Sequence, residues 1–263
     1  MGMTAKPYPT DLTDAEWECI KDLIPPPKPG GRRRELDMRA VVHAIFYVVD
    51  GGMKWRMLPH EYPNDNSVYW YFAQWRDSGD WQRLHDTVRV QVRRHEGRHK
   101  HPTAGCLDSQ SVKPTELGGE RGDDKGKNVQ GRQRHVLVDP LGLLMAVIVT
   151  AASVSDPAGA RLLFAQLGGA CKKRRLIWVD GAYRGQLVEW VAQHRRFVLR
   201  VTLRPDGCKG FVLLPRRWGV ERTLGWLNQS RRLSKDYERL PQSSEAMIYL
   251  SMTRLMLRRL AVA

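Results

Sequence analysis

Several features are scarce in this chain of 263 residues, and each absence excludes a class of protein. The four cysteines (Cys19, Cys106, Cys171 and Cys208) are scattered, without the paired spacing of a zinc site or a disulfide framework. Isolated thiols favour a reducing compartment. The longest mostly apolar run, 143–152, is too short to span a bilayer, and no secretory leader is expected. We therefore expect a cytoplasmic protein without a membrane partner.

Acidic residues are also in deficit. Asp and Glu number 28 against 43 Lys and Arg, which gives a formal net charge of +15. With 42% hydrophobic residues the chain can still bury a substantial core. The positive excess indicates a polyanionic partner, and nucleic acid is the first candidate. Charge alone does not distinguish DNA from RNA or from an acidic membrane surface.

The N-terminal third has a helical pattern. Five of the nine tryptophans lie within residues 11–95, and we expect most of them in a core. Thr13 and Glu16 have the spacing of a capping box. Helical periodicity and cap residues predict helices that begin after Thr13, at Asp37, at Asn66 or Ser67, and at Asp80. We predict a small all-α domain over 1–94, followed by a basic linker over 95–105.

From residue 106 onwards the pattern changes to strands. Strands are predicted over 106–112, 134–138, 143–149, 176–179 and 197–203. Helices are predicted from Asp156, from about Gly185 to His194, and from near Arg216. Three consecutive strands form a meander, and the later ones arrive through helical crossovers and pair in parallel. This order predicts an α/β domain over 106–263, with a ribonuclease-H-like mixed sheet, flanking helices and C-terminal helices.

Three carboxylates stand where this topology would bring them together. Asp108 lies inside the first strand, Asp180 follows the fourth, and Glu221 lies in the last predicted helix. The first and fourth strands are neighbours in such a sheet, and charged groups there are costly unless paired or bound to metal. Carboxylate oxygens suit magnesium or manganese. Two such ions about 3.5–4 Å apart can catalyse an in-line displacement at phosphorus.

The alternative is that each of these residues is an ordinary surface, turn or helix carboxylate. Other acids have simpler explanations, because Asp139 and Asp156 each precede a proline and suit a turn or a helix cap. Asp123 and Asp124 lie in a glycine-rich segment and are expected to be solvated.

The helix around Glu221 has one strongly polar face. Its members recur every three or four residues: Arg217, Glu221, Gly225, Asn228, Arg232 and Lys235. Cations flanking a metal-binding carboxylate would hold a phosphodiester against the ions. The alternative is a simple ion pair between Arg217 and Glu221, which are four residues apart.

Several ordered motifs resemble the bacterial DDE transposases of the insertion-sequence-five family. They are Leu-Asp-Ser-Gln-Ser-Val-Lys at 107–113, Gly-Arg-Gln-Arg-His at 131–135, Val-Asp-Gly-Ala-Tyr at 179–183 and Arg-Arg-Trp-Gly-Val-Glu-Arg-Thr at 216–223. The tryptophan-rich N-terminal region also resembles that family. The resemblance therefore covers almost the whole chain.

The resemblance implies that Asp108, Asp180 and Glu221 form the catalytic, metal-binding DDE triad. Two Mg²⁺ ions, replaceable by Mn²⁺, would support hydrolysis at the element ends and attack of the freed 3′-hydroxyl on target DNA. The N-terminal helices would recognise the terminal inverted repeats, with a helix-turn-helix over 66–94. A homodimer on double-stranded DNA, in the nucleoid of a prokaryotic cytoplasm, is expected because two ends must be held together.

Basic residues near these motifs are the predicted DNA contacts. The family signature has Tyr and Lys where this chain has Leu214 and Asn228, so other cations would contact the terminal phosphate. The predicted DNA-binding residues are Lys113, Arg132, Arg134, His135, Arg217, Arg231, Arg232 and Lys235. Two rival hypotheses are a non-catalytic DNA-binding protein and a ribonuclease-H-like nuclease that cleaves without joining.

Overall fold

The computed structural model describes residues 7–27, 30, 33–116, 118–167, 176–203 and 217–261, and the chain divides into two units. The first unit is helical. It contains α1 (Asp14–Glu18), α2 (Met38–Gly51), α3 (Asp65–Asp77) and α4 (Asp80–His95). The predicted capping box is confirmed, because Thr13 and Glu16 each accept the other's backbone N–H through their side chains. Asn64, rather than Asn66 or Ser67, caps α3.

The last helix, α8 (Pro241–Ala261), contributes to the helical unit from Ala246 onwards, as does the segment Gln229–Ser234. Arg254 on α8 forms an ion pair with Asp50 at the end of α2. This differs from the predicted domain over 106–263, which assigned the C-terminal helices to the sheet. The apolar residues of α8 beyond Ala246 are mostly buried, and Tyr249 among them packs against His85 of α4.

The tryptophans of α3 and α4 are partly in the core, as expected. Trp75 and Trp81 are buried and pack edge to face, with ring centroids 4.9 Å apart. Trp81 also donates its indole N–H to the carbonyl of Phe72 at 3.1 Å. Trp70 on α3 is 49% exposed. The core prediction is therefore confirmed for Trp75 and Trp81 and does not extend to Trp70.

The second unit is built on a mixed six-stranded sheet. Its strands are β1 (Ala104–Val112), β2 (Gly122–Asp124), β3 (Val129–Val138), β4 (Leu144–Ala151), β5 (Leu176–Val179) and β6 (Val198–Val201). The order is β2-β3-β1-β5-β6, and β4 also pairs with β3. The meander β1-β3-β4 is antiparallel, whereas β5 and β6 join in parallel. The predicted ribonuclease-H-like arrangement is confirmed.

Helices cover both faces of this sheet. On one face, α5 (Asp156–Gln166) and α6 (Gln186–His194) bury apolar side chains against the strands. The other face carries α7 (Trp218–Leu227), which contacts β1 and β3. The predicted start of this helix near Arg216 lies outside the described residues, as do Cys171 and Cys208. In the described part of the chain, no helix combines the length and apolar character needed to cross a membrane.

Candidate active site

The two predicted aspartates meet at the end of the parallel ladder between β1 and β5. The last paired residues are Cys106 and Trp178. Asp108 and Asp180 each lie two residues further along, so both side chains fall on the same face of the sheet. The adjacency of β1 and β5 expected from the order of elements is thus present, and it carries both carboxylates to one place.

One guanidinium lies between these carboxylates. Arg217 Nη2 is 2.7 Å from Asp108 Oδ2 and 3.9 Å from Asp180 Oδ2. The other oxygen of each aspartate accepts a backbone N–H: Ser109 donates to Asp108 Oδ1 at 2.8 Å, and Ala182 donates to Asp180 Oδ1 at 2.9 Å. Both Oδ2 atoms are consequently directed to the same cationic nitrogen.

Burial and charge act in opposite directions on this cluster. Burial raises the pKa of Asp108, and the neighbouring Asp180 adds to this, whereas Arg217 lowers it. For Arg217 burial disfavours the charged form, yet Asp108 and Asp180 outweigh it and raise the pKa above its ordinary value. The cluster thus contains two carboxyl groups and one guanidinium, and Arg217 is the cation that interacts with both aspartates.

Glu221 lies in the first turn of α7 and is half-buried. Burial is the main cause of the raised pKa of Cys106, and Asp108 is the main cause of the raised pKa of Arg217. The charge of Glu221 adds to both shifts, so it lies in the same region. The predicted alternative, an ion pair of Arg217 with Glu221, is not the arrangement adopted, because Arg217 pairs with Asp108 instead. The structure brings Asp108 and Asp180 together and leaves Glu221 nearby.

The donor set suits a hard divalent cation. Two carboxylate oxygens already face one positive charge, and a third carboxylate lies close to it. Within the described ranges, however, no three His, Cys, Asp or Glu side chains form a group that could hold a metal ion. Asp108, Asp180 and Glu221 thus supply donor atoms of suitable chemistry, but they do not form a metal-binding group in this arrangement, in which Arg217 lies between the two aspartates.

Arg222 lies between two tryptophan rings of α7 and links this helix to the turn between β3 and β4. The Arg222 guanidinium lies 4.1 Å from the ring centroid of Trp218 and 4.5 Å from that of Trp226. Its Nη2 donates to the carbonyl of Leu141 at 2.8 Å. This contact, next to Glu221 in sequence, sets the position of the helix relative to the sheet.

The turn itself is pre-organised for this contact. Asp139 accepts the N–H groups of Leu141 and Leu143, each at 2.9 Å, as expected of a turn residue. Gly142 has φ +79°, and its carbonyl accepts the hydroxyl of Thr223 at 2.7 Å. Only glycine adopts this backbone readily, and a Cβ there would lie 3.0 Å from the Thr223 oxygen.

A second polar network, which sequence reasoning missed, lies beside Asp108 on the opposite face of β1. Asp156 accepts the Ser109 hydroxyl and, at 2.6 Å, the Gln133 amide. Lys127 Nζ lies 3.3 Å from Ser109 Oγ and 3.7 Å from Asp124. Asp156 thus does more than begin a helix, and Asp124 belongs to a short strand rather than a solvated loop.

Tyr183 lies near both this network and the aspartate pair. Its side chain is buried, and burial is the largest cause of its raised pKa. The charges of Asp156, Asp108 and Asp180 raise the pKa further, so all three carboxylates lie in the region of this phenol. The only sequence signal for this arrangement was the position of Tyr183 in the motif that contains Asp180.

Two of the predicted DNA-binding arginines are buried in the sheet unit. Arg132 donates to three backbone carbonyls, those of residues 120, 238 and 239, and pairs with Asp236 at 3.3 Å. Arg134 donates to the Lys235 carbonyl and to Gln110, and burial lowers its pKa to about 10. These contacts favour a structural role over a contact with DNA, because neither guanidinium reaches the surface.

His135 and Arg232 are buried as well. The His135 ring lies 3.1 Å from Thr150 Oγ1, and burial lowers its pKa to about 4, which disfavours a charged phosphate contact. Arg232, in the helical unit, donates to the carbonyl of Met53 at 2.8 Å. The sequence pattern could not distinguish the buried His135 and Arg232 from exposed basic residues, because their burial depends on how strands and turns pack.

Three predicted DNA-binding residues are exposed: Lys113, Arg231 and Lys235. Lys113 and Lys235 each precede one member of the parallel bridge between Pro114 and Asp236, so their backbones are neighbours. Arg231 belongs to the helical unit. In the predicted helix-turn-helix, α3 and α4 are joined by Ser78 and Gly79.

Comparison with known proteins bears on both units. Residues 12–85 match a family model described as a transposase of the IS4/5 family, and residues 99–256 match the model of the transposase DDE domain. The second match covers more than half of the chain and includes Asp108, Asp180 and Glu221. An uncharacterised 16.2 kDa protein of insertion element IS402 from Burkholderia cepacia is 34% identical over 98 residues. The matched region is 34% of this chain and 63%, less than two thirds, of that protein.

Proposed function

Because this chain belongs to the IS4/5 family of DDE transposases, we propose that it cuts and joins DNA at the ends of its element. It binds the terminal inverted repeats, hydrolyses a phosphodiester at each end, and transfers the freed 3′-hydroxyl to target DNA. The observation that carries this proposal is the pair of aspartate oxygens that face one cation at the end of the β1–β5 ladder.

The proposed catalytic residues are Asp108, Asp180 and Glu221. Two Mg²⁺ or Mn²⁺ ions bound to these carboxylates would polarise the attacking oxygen and stabilise the leaving one. The backbone N–H groups of Ser109 and Ala182 orient the aspartates, which leaves one oxygen of each for a cation. Pre-oriented ligands reduce the entropy lost when substrate and cation assemble.

The DNA path in the proposal uses the cations that remain accessible. Lys113 and Lys235 are exposed on adjacent backbone segments of the sheet unit, and Arg231 is exposed in the helical unit. Contacts of this kind to phosphate oxygens position a duplex without reading its sequence. Arg217 is proposed as the phosphate contact beside the carboxylates. A homodimer that holds two ends, in a prokaryotic cytoplasm, completes the proposal.

The test is an assay with labelled terminal-repeat duplex and target plasmid. We expect Asp108→Asn and Asp180→Asn to lose strand cleavage by at least about 10³-fold while still binding the duplex. Asp123→Asn is the matched control, because Asp123 is an exposed carboxylate of the same unit. Cleavage that survives Asp108→Asn would refute the assignment.

The same assay separates the rival hypotheses. End binding without cleavage by the wild-type chain would indicate a DNA-binding protein, and cleavage without joining would indicate a nuclease. Cleavage and joining that both require magnesium or manganese support the transposase mechanism.

A further inference from the structure

Arg217 is the internal cation of the candidate active site. Its Nη2 lies 2.7 Å from Asp108 Oδ2 and 3.9 Å from Asp180 Oδ2, and its side chain is 9% exposed. The remaining oxygen of each aspartate is occupied by a backbone N–H. The oxygens that face Arg217 are therefore those that the backbone leaves for a metal ion.

A guanidinium and a divalent cation compete for these two oxygens. Magnesium approaches carboxylate oxygens to about 2.0–2.1 Å and requires near-octahedral space around it. A guanidinium in contact with Asp108 Oδ2 and 3.9 Å from Asp180 Oδ2 occupies part of that space and repels the ion. Binding of the ion thus requires that Arg217 leave Asp108.

A displaced Arg217 needs another anion, because a buried charge without a partner is strongly unfavourable. Arginine does not lose its proton, so it cannot escape this cost by becoming neutral. A phosphodiester in the site provides a bidentate acceptor of suitable shape. DNA would draw the guanidinium away from Asp108 and leave the carboxylate free.

We propose that Arg217 couples the two ligands of the site, so that DNA and the divalent cation each strengthen the binding of the other. Without either ligand, Arg217 neutralises the aspartates and the affinity for metal is low. Coupling between sites is reciprocal, so both affinities change by the same factor. This inference rests on the proposed function, since it takes the aspartates as metal ligands and DNA as the substrate.

The experiment measures Mn²⁺ binding by the electron paramagnetic resonance signal of free Mn²⁺. The full chain is titrated alone and with a terminal-repeat duplex that already carries a free 3′-hydroxyl end, so that no cleavage is required. We expect the duplex to raise the Mn²⁺ affinity of the wild-type chain by about 5- to 150-fold. Equal affinities with and without the duplex would overturn the coupling.

Variants of Arg217 test whether this residue is the source of the coupling between DNA and Mn²⁺ binding. Arg217→Gln should bind Mn²⁺ about tenfold or more tightly without DNA, and the duplex should change that affinity little. Arg217→Lys keeps the charge and should retain the coupling in part. Arg184→Gln, which removes an exposed arginine of the same unit, should behave as wild type.

The outcomes distinguish this inference from the proposed function. If Asp108→Asn does not weaken Mn²⁺ binding, the metal site itself is wrong and the coupling falls with it. If Asp108→Asn weakens Mn²⁺ binding but Arg217→Gln remains as coupled as wild type, the metal site stands and the role of Arg217 is refuted.

Discussion

Glu245 gives the sheet unit a stability that depends on pH. It lies in the first turns of α8 and accepts the backbone N–H of Val149 on β4 at 2.9 Å. Burial raises its pKa from 4.5 to about 7, although the hydrogen bond from Val149 favours the ionised form. The folded chain therefore binds a proton more tightly than the unfolded chain does.

This difference in proton affinity determines how the stability of the protein changes with pH. Below about pH 4.5 both states carry the proton, and the stabilisation is fully present; it is lost as the pH rises towards about 7. The pKa difference corresponds to on the order of 3 kcal/mol. Glu245→Gln mimics the protonated acid, so it should exceed wild type in free energy of unfolding by about that amount at pH 8 and by little at about pH 4.

Urea unfolding followed by tryptophan fluorescence at several pH values measures the difference directly. Glu189→Gln is the control, because Glu189 is an exposed carboxylate on α6 of the same unit. A difference between Glu245→Gln and wild type that stays constant between about pH 4 and about pH 8 would refute the reasoning.

Two further predictions concern the half-buried Arg222 and the buried Arg132. Arg222→Gln removes the guanidinium between Trp218 and Trp226 and should lower the free energy of unfolding by about 1–2 kcal/mol. Arg222→Lys should recover part of the lost free energy of unfolding. Urea unfolding would contradict the prediction if Arg222→Gln were as stable as wild type. Arg132→Met removes the ion-pair partner of the buried Asp236 and should cost about 3–5 kcal/mol. Thermal unfolding measures this loss of stability. Arg132→Lys should remain destabilised, because one ammonium group cannot replace a guanidinium that donates to three carbonyls. A decrease in the free energy of unfolding below about 1 kcal/mol for Arg132→Met would contradict the structural role of Arg132.

The sequence predicted the parts of the molecule that follow from local pattern. The strand order placed Asp108 beside Asp180, because Asp108 lies within β1 and Asp180 follows its parallel neighbour β5. The capping box at Thr13 and the turn at Asp139 were also predictable, since both depend on contacts within a few residues.

The rest depended on contacts that no local pattern encodes. Arg132 and Arg134 were predicted as DNA contacts because they lie near the first strand and the hairpin, yet the segment 235–239 supplies carbonyls that make their burial favourable. Helical spacing offered Glu221 as the partner of Arg217, whereas the sheet provides a closer carboxylate in Asp108. The C-terminal helix likewise joined the helical unit through residues about 200 positions away, such as Asp50.

The position of Asp108 is controlled from both faces of the sheet. Along β1, side chains alternate, so Asp108 faces Arg217 at the start of α7 while Ser109 faces α5. The Ser109 hydroxyl donates to Asp156, and its backbone N–H donates to Asp108 Oδ1. A shift of α5 therefore moves the N–H that orients the carboxylate, and a shift of α7 moves the guanidinium that neutralises it. Because both helices act on one side chain through direct hydrogen bonds, changes far from the reacting phosphate can still alter how Asp108 binds a cation.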